Sequence, residues 1–405
     1  MKKITFLLFA MFSISCSSQS KYEKDFLEFW ELIDESYAYF HDKQTNWDEV
    51  KVLYAPEFKK VESGYEFVYL FEKMIYELYD SHITINTNID SSFQQVPDKS
   101  DAWLEYRDGG YYIVDIREGF TADKAGLEIG MKIESINNID FDKAVQKELP
   151  ISFDDHNNEV HVFIANLVFS GDRVNPRKVE VVYKGQKQQF TLENPKRITT
   201  DVFNNQMLTT KKLNNNIGYI RVNNCLSNYD LVNHFDKTVD ELYDTNGLII
   251  DLRETAGGGN TVVARAILGK FLNKEVPYQK HEQPYEEKQY GVKRSWIEYA
   301  FPFRKFYNKP VVVLVGHWTG SVGEALGVAF STFDNVTVVG TKMAGLQGGV
   351  NCQTLTGTNI SVCYPFEKIF QVNGESRKSF IPEVHTKSFK ETYDIGLKTL
   401  EKAIK

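Results

Sequence analysis

The stretch PVVVLVGHWTGSVGEALGVAF, residues 310–330, decides the fold. Pro310 opens a run of β-branched and apolar residues, Val311 to Val315, which is too short for a helix and is stopped by Gly316. Such a run is the signature of a fully buried strand. Ala325, Leu326, Val328, Ala329 and Phe330 then give an apolar helix, and Thr319, Gly320 and Ser321 fall in its cap region. A hydroxyl at this join sits at the positive end of the helix dipole. The next backbone N–H, that of Val322, points at any negative charge formed there. This setting suits a nucleophile, although an ordinary N-cap serine carries the same local signature. The decision rests on the flanking sequence.

Working outward, the chain from about Ile217 alternates strand and helix, as expected for a sheet covered by helices. Residues 218–222 read as a strand, 228–243 as a helix, 247–253 as a buried strand and 261–271 as a helix. Between the last two lies Glu254-Thr-Ala-Gly-Gly-Gly-Asn260. Three consecutive glycines after a strand let the backbone turn sharply and present its N–H groups. The loop has neither a Walker lysine–hydroxyl pair nor GxGxxG spacing, so an oxyanion role is a stronger reading than phosphate binding. Before this region, residues 21–98 are mainly helical, with Phe26, Phe29, Trp30, Ile33 and later Phe67, Leu70, Phe71, Met74 at spacings of three and four. They end in Asp80-Ser-His82 and a short extended segment. Residues 99–196 change to alternating strands. They include a strand at 111–116, a hairpin over 178–192 turned at Lys184-Gly185, and room for a helix between 145 and 177.

The balance of 47 basic against 55 acidic residues, net −8, contains no basic block and argues against a nucleic-acid partner. No metal-ligand spacing is present, and neither a cofactor nor a metal is expected. Residues 1–20 read as an export signal: Lys2 and Lys3 precede an apolar run from Ile4 to Phe12, followed by small residues up to Cys16. The step resembles a bacterial lipoprotein signal, which implies a lipid anchor on Cys16 and a membrane-attached, periplasmic or cell-envelope location. Ser13 stands where such signals usually carry leucine, so simple cleavage is the alternative. Cys352 and Cys363 flank a segment that, as a hairpin turned at Gly357-Thr358, places them directly opposite. Export favours a disulfide there, and two buried thiols are the alternative.

Gly218-Tyr-Ile-Arg221, Ile249-Ile-Asp-Leu-Arg-Glu-Thr-Ala-Gly-Gly258, Thr319-Gly-Ser-Val-Gly-Glu324 and Val338-Val-Gly-Thr-Lys-Met-Ala-Gly345 together resemble the C-terminal processing and tricorn-type serine peptidases. The segment from Ala125 to Asp140 resembles a PDZ domain. The resemblance implies an α/β fold with three parts. These are the N-terminal helical region, an inserted PDZ-like β domain, and a crotonase/Clp-protease-like catalytic domain over 197–405. It implies a peptide or protein substrate and a PDZ-like domain that holds substrate tails by strand addition. A rigid spacer with a closed groove is the alternative for that domain.

The family activates its serine in two ways. The processing branch uses a lysine in a Gly-Lys step, and here that step is Gly345-Leu346, with Lys342 in an earlier position. The tricorn branch uses a Ser-His step near the end of the helical region, where Ser81-His82 stands. The resemblance therefore implies Ser321 as nucleophile, His82 as base and Ser81 as its orienting partner. Val322 N–H and Gly258, or its neighbour Gly257, would form the oxyanion site. The third catalytic member is implied near Phe380-Ile-Pro-Glu383: strict spacing gives Ser376, and a one-residue shift gives Glu375. Glu324 is expected to support the helix start. His317, with no carboxylate in a nearby step, is expected to line a pocket. A retired peptidase kept as a peptide-binding lipoprotein is the rival reading.

Overall fold

In the computed structural model, which describes residues 19–196 and 206–405, Val311–Val315 is a strand with all five residues buried. The export signal and Cys16 lie outside the described residues. The strand sits inside a six-stranded sheet ordered 384–385, 336–340, 311–315, 247–251, 217–222 and 208–213. All neighbours are parallel except 208–213, which runs antiparallel to 217–222. Alternation along the strands buries both faces. Val311, Val313, Leu248 and Ile250 face one core with the helices Leu231–Glu241, Thr261–Gly269 and Val322–Phe330. Val312, Leu314 and Ile249 face a second core covered by the C-terminal helix Phe389–Ala403. Each strand-to-helix turn therefore emerges at the same edge of the sheet. The glycine loop and Ser321 meet there, outside the carboxyl ends of the strands, where open α/β sheets place their sites.

The helical lead-in forms three helices, Lys21–Ser36, Trp47–Phe58 and Gly64–Tyr76. Their aromatic stripe, including Phe26, Phe29, Phe58, Phe67 and Phe71, makes one buried cluster. That cluster also takes in Val362 and Tyr364 from the strand Ser361–Phe370, so the lead-in is packed onto the C-terminal half. The short strand Thr84–Ile85, two residues beyond His82, pairs antiparallel with that same strand, Thr84 opposite Cys363. Cys352 and Cys363 face each other across the next strand pair and are joined as a disulfide, in the register expected from the hairpin. The loop is longer than two residues, because pairing of the strands stops at Thr354 and Ser361.

Residues 102–192 form a separate six-stranded sheet with its own core. The hairpin turns at Lys184 and Gly185 as expected, and the additional helix is Asn158–Ser170. That helix closes what was expected to be an open groove. The strand Ala102–Arg107 lies at the sheet's edge, and the Asn166 amide accepts from Leu104 N–H and donates to Leu104 C=O, both at 3.0 Å. An incoming peptide strand would need those two groups. Asn166 thus occupies the main-chain groups of Leu104 on this edge.

Candidate active site

Ser321 joins strand to helix with φ +53° and ψ −113°, a conformation that favours glycine. Holding a serine there costs on the order of 1–3 kcal/mol. Burial of the flanking strand, roughly 1.5–3 kcal/mol for each fully buried valine, is ample to impose it. Strain stored at such a join aims the hydroxyl away from the sheet. Ser321 N–H donates to Glu324 Oε2 at 2.7 Å, and the Val322 N–H opens the helix among its unpaired first-turn donors. The glycine loop lies directly against the hydroxyl. A Cβ added to Gly258 would lie 2.6 Å from Ser321 Cβ and 2.9 Å from Oγ, so no other residue fits. Gly258 also has φ +64°, and its N–H makes a 3.2 Å bond to Thr255 C=O inside the turn. Gly257 N–H is held by Asn224 Oδ1 at 2.7 Å, so both glycine donors are engaged within the loop in this structure.

His82 stands on a turn closed by Ile83 N–H to Asp80 C=O. Asp80 fixes it by accepting from His82 N–H at 2.9 Å and from the Tyr37 hydroxyl at 2.6 Å. The ring's Nδ1–H donates to Gln347 C=O at 2.6 Å. A carbonyl can only accept, so this bond puts the proton on Nδ1 and leaves the Nε2 lone pair as the base. Burial holds the imidazole's pKa below its ordinary value. The Gln347 bond and the Asp80 charge oppose the shift, and the Arg377 charge adds to it.

No hydrogen bond joins His82 to Ser321; a shared scaffold connects them instead. Gly345 N–H donates to Glu324 Oε1 at 3.0 Å, Leu346 packs 3.0 Å from the Cβ position of Gly320, and Gln347 C=O holds His82. Residues 345–347 thus bridge the serine's helix and the histidine. Leu346, at the position where the processing branch has its lysine, is buried beside the serine turn and has no titratable group, while Lys342 is exposed.

Two expected partners lie elsewhere. Ser81 does not reach the ring and instead lines a cavity behind the turn. Glu375 is exposed in the turn after Phe370; its own N–H bonds Asn373 Oδ1, and its carboxylate meets neither His82 nor Ser321. Its neighbours do reach the site. Ser376 Oγ bonds Gln347 Oε1 at 3.3 Å, and buried Arg377 donates to Leu346 C=O and stands 3.9 Å from Glu324. The role expected of a side chain is filled by the Gln347 carbonyl, which leaves no trace in residue types.

His317 does have a carboxylate partner. Asp115, from the inserted domain, accepts from its Nδ1–H at 2.9 Å, and the ring stacks on Trp103 at 5.0 Å. Sequence spacing hid the pair, because 202 residues separate its members. Asp115 also accepts from Phe389 N–H, and Trp318 Nε1–H donates to Ser100. Arg117 forms a buried ion pair with Glu254 at the start of the glycine loop. The inserted domain is therefore fastened to both loops that meet at Ser321. In the inserted domain, His156 bonds Pro150 C=O, and His161 stacks on Tyr106.

Residues 216–385 match the model of peptidase family S41, and residues 18–76 match the tricorn protease C1 domain. The solved structure of mature CPAF superposes with a TM-score of 0.60 at 14% identity, covering 95% of this chain and 96% of that one. The photosystem II D1 C-terminal processing protease gives 0.54 at 17%, covering 91% and 94%. A putative peptidase from Parabacteroides merdae gives 0.54 at 16%, covering 95% and 97%. The resemblance read from the sequence to processing and tricorn-type peptidases is borne out, and the family matches support a serine-type peptidase.

Proposed function

We propose, taking the match to peptidase family S41 as the premise, that this chain hydrolyses peptide bonds through an acyl-enzyme on Ser321 with His82 as general base. The observation that carries the reading is the Nδ1–H bond to Gln347, which presents a neutral Nε2, while Leu346 stands at the position where the processing branch has its lysine. His82 Nε2 takes the hydroxyl proton as Ser321 Oγ attacks the carbonyl carbon. It returns that proton to the leaving amine, and water then releases the acyl group by the same route. The Val322 N–H, with Gly258 N–H turning from Thr255, receives the oxyanion. A serine–histidine bond missing in the free protein is no obstacle, since such bonds commonly tighten only when substrate is bound. Export, with a lipid anchor on Cys16, belongs to this reading through the sequence signal. The inserted domain serves as a wall that holds the glycine loop and the serine turn.

A fluorophosphonate probe tests the proposal on purified protein. The expected result is one adduct per chain, mapped by mass spectrometry to the peptide containing Ser321. A folded protein that takes up no probe would leave a binding protein on a peptidase fold.

The pH dependence of labelling identifies the base. The protonated imidazole is inactive, and burial lowers the pKa of His82, so the rate should fall on the acid side with a midpoint below about 6.5. It should stay flat from there through pH 8. A lysine base would instead give a rate still rising above neutrality.

A further inference from the structure

Behind the turn that carries His82 lies a cavity of about 80 Å³, partly open to solvent. Three parts of the chain wall it: the helix Gly64–Tyr76, the 80–96 segment, and the inserted domain through Phe163, Leu167 and Arg173. Ser81 and Ile83, on either side of His82, face into it. The lining is mainly apolar, and one of its polar groups, on Arg173, lacks a partner. Arg173 Nε is buried with no acceptor. Glu72 is pushed up to about 7 by burial, against a hydrogen bond from Ser92 and the charges of Arg173 and Lys73, and it forms no ion pair with Arg173. Asp80, the other acid, is occupied by the Tyr37 hydroxyl and the His82 N–H.

A ligand that completes this cavity must fill apolar space, accept from Arg173 Nε and donate to Glu72. A peptide unit offers a carbonyl to Arg173 Nε and an N–H to Glu72, beside an apolar side chain.

We propose that this cavity is a subsite for a large apolar residue of a peptide, with the adjoining peptide group held between Arg173 and Glu72. The assignment rests on the peptidase reading for the nature of its ligand. It also supplies a place for chain recognition in a protein whose inserted domain has its strand edge filled by Asn166. Because Ser81 and Ile83 belong to its wall, occupancy presses on the turn that positions the base.

The test uses the full chain carrying Ser321→Ala, so that binding is read without turnover. Fluorescein-labelled pentapeptides Gly-Gly-X-Gly-Gly, with X as Leu, Phe, Tyr, Asp or Lys, are titrated by fluorescence anisotropy. Leu, Phe and Tyr should bind at least about tenfold more tightly than Asp or Lys, as the burial of one apolar side chain allows. Leu167→Trp, which fills the cavity, should abolish that preference, and Arg173→Met, which removes the donor to the shared peptide group, should weaken binding of the Leu, Phe and Tyr peptides, with thermal melts confirming that both variants are folded. Equal binding of all five peptides, no binding of any, or binding untouched by both substitutions would overturn the subsite. The probe labelling of wild-type Ser321 is scored separately. Loss of labelling with the preference intact would fault the acyl-enzyme and spare the cavity.

Discussion

Ser321→Ala should lower kcat/KM on the order of 10⁴-fold or more, and His82→Ala by about as much. The double variant should be no slower than either single one. The non-additivity follows from the proposed chemistry. Without the hydroxyl the imidazole has no proton to take, and without the imidazole the hydroxyl remains a weak nucleophile. What survives is the contribution of the oxyanion donors and of substrate positioning, which neither substitution removes. His82 is anchored through its backbone to Asp80 and through its ring to Gln347, so His82→Ala leaves the Asp80 turn in place. A His317→Ala variant separates this mechanism from its neighbour. His317 is fastened to Asp115 and stacked on Trp103, and its loss should act on stability and loop position while leaving measurable labelling. If labelling survived His82→Ala and vanished with His317→Ala, the base would be reassigned. Steady-state rates on a cleavable peptide, together with probe labelling of all four variants, decide it.

The catalytic half was legible because its signals are local. Five apolar residues bounded by glycine can only be a buried strand here, and three glycines after a second strand need a tight turn. Ser321 could therefore be singled out from its own stretch and Gly258 from the family resemblance, and in the structure the glycine loop lies against the serine. The register of the cysteine hairpin was also local, being fixed by counting to the middle of a ten-residue segment. Partners supplied across the chain were not legible. The His317–Asp115 pair spans the inserted domain, and Asn166 closes a strand edge 62 residues away. The orienting acceptor of His82 is a main-chain carbonyl, so no search for a third acidic side chain could find it. Glu375 was reached by allowing a one-residue shift. The strict spacing led to Ser376, which does contact Gln347 through its side chain. For the partner of His82, the error came from expecting a side chain to do what the backbone does.

Glu324→Ala should destabilise the protein by about 3–5 kcal/mol and disable the site as well, an effect much larger than the loss of a helix cap. Glu324 is 2% exposed and accepts from two backbone N–H groups, Ser321 at 2.7 Å and Gly345 at 3.0 Å. Its removal leaves both donors buried without acceptors and leaves Arg377, 4% exposed, without its carboxylate. It also cuts the connection through residues 345–347 that relates the serine helix to His82, so kcat should fall even in the molecules that stay folded. Glu324→Gln is the informative companion. The amide keeps the volume and one acceptor oxygen but turns a donor toward the second N–H, so it should cost less, about 1–3 kcal/mol. The two side chains also differ in pH response. Burial pushes Glu324 up to about 7, against the pull of Arg377 and the neighbouring N–H groups. A carboxyl raised above its unfolded value binds more protons in the native state. Its contribution is therefore full below about 4.5 and is lost as pH rises through about 7. Glutamine has no such titration. Urea melts at pH 5 and pH 8 should show the wild type's advantage over Glu324→Gln shrinking at the higher pH. An advantage that stays constant or grows would mean that Arg377 and the backbone donors keep the carboxylate ionised throughout, and that the serine helix is held by a permanent buried ion pair.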